Sequence, residues 1–137
     1  MKTSFDINTI VYRILNVQTV KDAISGDIYK GDDRPDDSTD EDIVINTISL
    51  TQDFLPQIAT SNVNVYVSDK PKTIKGKSML KADSVRLKAI TGVVLSVLRA
   101  AKVPGLLFKV EAQSELSETN VKQHFVNIRL SWNIQSE

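Results

Sequence analysis

Apolar side chains recur along this chain with two different periods, and each change of period marks an element. Ile7, Ile10, Val11, Ile14 and Leu15 fall on one helical face, with Asp6 or Asn8 placed to cap the helix by accepting a backbone N–H. A second apolar turn, Val20 to Ile24, stops at Ser25-Gly26, and Asp27-Ile28-Tyr29 then reads as a brief extended segment. Ile43 to about Leu50 is rich in β-branched residues and apolar enough for a strand buried over much of both faces, with Pro56 marking its far end. Asn62 to Ser68 alternates strictly, with Val63, Val65 and Val67 on one face and Asn64 and Tyr66 on the other, which predicts a hairpin with the preceding strand.

The longest helical period runs through Leu87, Ile90, Val94, Val97, Leu98 and Ala101, capped by Asp83 or Ser84 and stopped by Pro104-Gly105. Two further strands follow: Leu107 to Ser114 with Phe108, Val110 and Ala112 inward, and Phe125 to Gln135 with Val126, Ile128, Leu130, Trp132 and Ile134 inward. Glu115 to Gln123, between them, is polar and turn-like. The order helix, hairpin, helix, hairpin predicts the α+β class. Its expected form is an antiparallel sheet of about four strands packed against two main helices as a two-layer sandwich.

A length of 137 residues suits one domain spanning 1–137 with a single core. Seventeen basic residues balance seventeen acidic ones, so no overall cationic field attracts nucleic acid non-specifically, and weak mutual repulsion permits copies to associate. Cysteine is absent, which removes disulfides, thiol catalysis and iron–sulfur centres; a metal site would have to be built from carboxylates and the lone His124. No stretch approaches the roughly 20 apolar residues of a membrane span, and no apolar leader core follows Met1 to Asp6, so the expected place of synthesis and assembly is the cytoplasm.

Charge is concentrated in two segments. Lys30 to Asp42 carries Asp32, Asp33, Asp36, Asp37, Asp40, Glu41 and Asp42 around Pro35 with almost nothing apolar, and reads as a solvated loop. Asp69 to Lys81 reads as a second loop, now basic, with Lys70, Lys72, Lys75, Lys77 and Lys81. Neither carries a cofactor motif. The acidic loop lacks the sixth-position glycine of a calcium-binding loop. Gly76-Lys77-Ser78 sits between strand and helix as a phosphate loop would, but the second glycine that chemistry needs is replaced by Pro71, which lacks a donor. His124 has Glu111, Glu115 and Glu118 as the only nearby carboxylates in its stretch and no evident nucleophile, so a structural histidine is favoured over a hydrolytic base. Trp132 is in phase with four aliphatic residues and reads as a core anchor.

The chain resembles the tail-terminator or tail-completion proteins, with related minor tail and neck proteins, of long-tailed bacteriophages. The residues that carry the resemblance are Ile10-Val11-Tyr12-Arg13-Ile14-Leu15, then Gly26-Asp27-Ile28-Tyr29, a loop with Pro35, and a strand entered at Asp42-Ile43-Val44-Ile45; Ser84 to Lys102 and Phe125 to Gln135 match its second half by order of elements. Glu41-Asp42 stands where family members often have a proline before the first long strand, and Asp32 to Asp42 is unusually acidic for them. The resemblance implies a non-enzymatic subunit that forms a ring, typically a hexamer, capping the tail tube and joining it to the neck. Its implied partners are other copies, tail-tube and neck proteins, with no membrane and no specific nucleic acid, and its place is the host cytoplasm during assembly and then the virion tail. The charges suggest how copies would meet: Asp32, Asp33, Asp36, Asp37, Asp40 and Glu41 of one copy against Lys70, Lys72, Lys75 and Lys77 of the next. The alternative reading is a small accessory protein of another assembly or regulatory system.

Overall fold

A capping box opens the first helix, α1 (Ser4–Leu15). Thr3 Oγ1 accepts the Asp6 N–H at 3.4 Å and the Asp6 carboxylate accepts the Thr3 N–H at 2.7 Å, so Thr3 is the cap and Asp6 its reciprocal partner. Asn8, the other expected cap, is instead buried, where it accepts a hydrogen bond from Thr47 at 2.7 Å; Thr47 and Ser61 are in turn 3.0 Å apart. A one-turn helix, α2 (Gln18–Lys21), follows, then strands β1 (Ile28–Lys30), β2 (Ile43–Leu50), β3 (Gln57–Ser68), β4 (Lys70–Ile74) and β5 (Lys77–Lys81), helix α3 (Ser84–Ala100), and strands β6 (Leu106–Glu118) and β7 (Gln123–Ile134). Asp83 caps α3 by accepting the Arg86 N–H at 3.2 Å. These elements come from a computed structural model that describes residues 1–118 and 120–136.

The main sheet has five strands in the order β1-β2-β3-β7-β6 and is mixed: β1 runs parallel to β2, and all other neighbours are antiparallel. β4 and β5 form a separate two-stranded hairpin. The expected four-stranded antiparallel sheet on two main helices is therefore corrected on three counts, to a five-stranded mixed sheet, an added hairpin and three helices among the described residues. The physical reasons are local. β1 is three residues long, too short to display a period of two, and it joins the sheet in parallel because the 12 residues from Gly31 to Asp42 are long enough to carry the chain across. The lysine segment, expected as a loop, folds because Lys75 and Gly76 take φ of 51° and 79°, the two consecutive left-handed residues of a tight hairpin turn.

The helices cover one face of the sheet. Ile7, Val11 and Leu15 of α1 and Leu87, Ile90, Val94 and Leu98 of α3 pack with Ile43, Ile45, Val63, Val65, Val126, Ile128, Leu130, Trp132 and Ile134, all essentially inaccessible to water. Trp132 stacks on Phe108 with ring centroids 4.6 Å apart, as a core anchor. Ala112 does not join this core: the β6–β7 register shifts between Val110 and Ala112, and the strand beyond the bulge is exposed. β6 also continues to Glu118 where a polar turn was expected; Thr119 lies outside the described residues.

Candidate assembly surface

One end of the sheet gathers the charged features. β2 begins there, β3 and β6 end there, β7 begins there, the acidic connection from β1 returns to it at Asp42, and the β4–β5 hairpin emerges from it. The acidic connection crosses the sheet face opposite the helices, the face that carries Val44, Tyr66 and Phe125. It is not a free loop. Asp42, 1% exposed, accepts hydrogen bonds from Arg34 Nε at 2.9 Å, Ser38 Oγ at 2.6 Å and the Asp27 N–H at 2.9 Å. Arg34 also donates to Gln123 Oε1 at 2.8 Å and lies 4.1 Å over the Tyr66 ring, which stacks on Phe125. Burial of that phenol pushes the Tyr66 pKa up, partly offset by the Arg34 cation beside it.

A second anchor holds the end of the connection. Glu41 receives two hydrogen bonds from the Arg86 guanidinium, at 2.6 and 2.8 Å, and a third from the Ser25 N–H at 3.1 Å. The paired carboxylate raises the Arg86 pKa above its ordinary value. Gly26 lies against this knot so closely that a Cβ there would collide with the Asp42 carboxylate and sit 2.7 Å from the Glu41 carbonyl oxygen. The Gly-Asp-Ile-Tyr signature thus has a packing cause: a bare backbone beside a buried carboxylate.

The candidate interface residues divide accordingly. Asp32, Asp33, Asp36, Asp37 and Asp40 are exposed on the crossover, whereas Glu41 is engaged by Arg86. Lys70 lies 3.6 Å from Asp83; among the described residues no ion pair engages Lys72, Lys75 or Lys77. The hairpin register gives Lys70, Lys72, Lys77 and Lys81 a common side, with Lys75 in the turn. Lys70 faces Lys81, Lys72 faces Met79 and Ile74 faces Lys77, so these six side chains share one face, with Pro71, Thr73, Ser78 and Leu80 on the other. Except for half-buried Ile74, every residue from 70 to 81 is exposed, so the hairpin stands off the body as an arm. Ser68, at its root, donates to the Thr39 carbonyl at 2.6 Å, which sets arm and acidic crossover side by side in one chain.

Sequence reasoning missed the anchors Arg34, Asp42, Arg86 and Gln123. One signal was available: Arg34 is the only base among residues 31–42, and a lone cation in an acidic run is a candidate for burial with a carboxylate. His124 hydrogen-bonds through Nδ1 to Asp69 at 2.6 Å, not to Glu111, Glu115 or Glu118, and so ties the start of β7 to the residue that follows β3. No helix among the described residues is long and apolar enough to cross a membrane.

No protein-family model matches the sequence, and no curated protein gives a significant match. The fold is similar to that of a chain in a solved structure described as the virion of a native gene transfer agent particle. The TM-score is 0.55 and the identity 11%, with 92% of each chain covered.

Proposed function

We propose that this chain is a structural subunit of a phage-like particle, one that assembles by contact and carries out no reaction. The observation that carries the reading is the likeness in fold to a chain of a gene transfer agent virion over 92% of both chains. At the finer level we propose a single-domain tail-completion subunit that forms a ring of the hexameric type, caps the tail tube and meets the neck. The order of elements and the Gly26 to Tyr29 signature support this, as does a molecule with opposite charges on neighbouring surface features. In the ring, Lys72, Lys75 and Lys77, with Lys70, face Asp32, Asp33, Asp36, Asp37 and Asp40 of the next copy, while Glu41 acts by holding the acidic crossover in place. Exposed pairs of this kind contribute about 0–1 kcal/mol each, so they orient the encounter while apolar contact supplies affinity.

The test is electron microscopy of particles made with and without the gene. Overlong or headless tails in its absence are expected; normal particles would refute the termination role. Light scattering across a salt series tests the charge contact, which fails if assembly is indifferent both to salt and to reversal of the lysines.

A further inference from the structure

We propose that the free edge of β6 is the docking strand for the β4–β5 arm of a second copy, so that copies join by extending one sheet across the interface. The inference rests on the self-assembly part of the reading above and names the surface that performs it.

β6 is 13 residues long and pairs along its length with β7; beyond Leu106, which bridges to Val103, its other edge is unpaired among the described residues. From Glu111 to Ser117 every residue is exposed, so neither a helix nor a loop covers this edge. A long open edge presents a row of backbone donors and acceptors that pairs with any compatible strand. The arm presents the complementary deficiency. An isolated two-stranded hairpin is marginally stable in water, and this one sets Lys70 directly opposite Lys81, a like-charge pair that Asp83, 3.6 Å from Lys70, offsets only in part. A third strand bearing carboxylates would relieve both.

Charge selects the pairing. The β6 edge carries Glu111, Glu115 and Glu118, with no base from residue 110 to 121, while the arm carries five lysines and no acid from residue 70 to 81. Edge on edge sets glutamate against glutamate, and arm on arm sets lysine against lysine. Only arm on edge joins opposite signs. Leu80 of the arm and Leu116 of the edge, 48% and 46% exposed, supply apolar contact. Asp32, Asp36 and Asp37 line the same cleft as Glu118, so the acidic crossover of the receiving copy flanks the docked arm.

Within one chain the arm leaves from the end of β3, and β7 lies between β3 and β6; arm and edge are not paired there. The contact is therefore between copies and joins two different patches, which makes a head-to-tail chain that becomes a ring when the rotation closes.

The absence of native cysteine makes disulfide trapping specific. The full-length chain carrying both Lys72→Cys and Glu115→Cys, two exposed positions, is oxidised mildly over a concentration series, with sedimentation velocity in parallel. A ladder of cross-linked oligomers ending in a closed species is expected. Glu115→Cys alone forming dimers would overturn the pairing in favour of edge on edge. Association without arm-to-edge cross-links, with Lys72→Cys trapping Asp36→Cys instead, would overturn the edge while leaving a charge-steered ring intact. A chain that stays monomeric throughout would refute self-assembly itself. In a second variant, Lys72→Glu with Lys77→Glu weakens association about tenfold or more, and adding Glu111→Lys with Glu115→Lys restores it. Failure of that restoration counts against the proposal.

Discussion

Arg34→Ala tests whether the acidic crossover is fastened or merely passes over the sheet. Arg34 is 12% exposed and Asp42 1%, so the pair is largely out of water, and truncating the guanidinium leaves Asp42 as a buried carboxylate with its cation gone. Removing one partner of such a pair costs about 3–5 kcal/mol. Asp42 keeps its hydrogen bonds from Ser38 and from the Asp27 N–H, which places the expected cost near the lower end, about 3 kcal/mol. The lost bond to Gln123 and the lost contact with the Tyr66 ring act in the same direction. At roughly 2.1 cal/mol/K per residue, a chain of 137 residues unfolds with an entropy of about 0.29 kcal/mol/K, so Tm should fall by about 10 °C. Scanning calorimetry reads this directly, and hydrogen exchange should show the amides of 31–41 losing protection before the core does. A Tm drop below about 3 °C would refute the reasoning, because it would give the pair the value of a solvent-screened surface contact.

Three further predictions follow from named contacts. Gly26→Ala should destabilise by about 3 kcal/mol in urea unfolding, since the new methyl displaces the Asp42 carboxylate or the Glu41 backbone, whereas Gly92→Ala, in the middle of α3 with open space at its Cβ position, should stabilise by roughly 0.5–1 kcal/mol. Equal effects from the two would remove the packing account of Gly26. Trp132→Ala should cost about 3–5 kcal/mol, because a buried indole and its stack on Phe108 are lost together, and a midpoint unchanged in urea would contradict its place in the core. Burial raises the Tyr66 pKa in the folded state, so its contribution to stability is complete below the unfolded value of about 10 and is lost as pH rises through the folded one. Tyr66→Phe should therefore lose less stability than wild type over that alkaline interval, measured by urea unfolding at stepped pH; parallel losses would assign the effect elsewhere.

The elements with strong periods were legible in the sequence. The stripes through Ile7 to Leu15 and Leu87 to Leu98, and the alternations of Val63 to Val67 and Val126 to Ile134, report burial on one side, and burial is what makes a helix or a half-covered strand periodic. The charged segments were legible as charge and not as structure.

Only the tertiary structure decided what those segments are. β1 has three residues, and its parallel place beside β2 depends on Asp42 being buried between Arg34, Ser38 and the Asp27 N–H, groups that no local pattern brings together. The arm is a strand pair because two consecutive residues turn left-handed at Lys75-Gly76. Lys70, Lys72, Lys77 and Lys81 share a face because of a register that composition cannot reveal. The open edge of β6 follows from strand order alone. A local pattern records which side of an element is dry, but which strand lies outermost is fixed by the packing of the whole sheet.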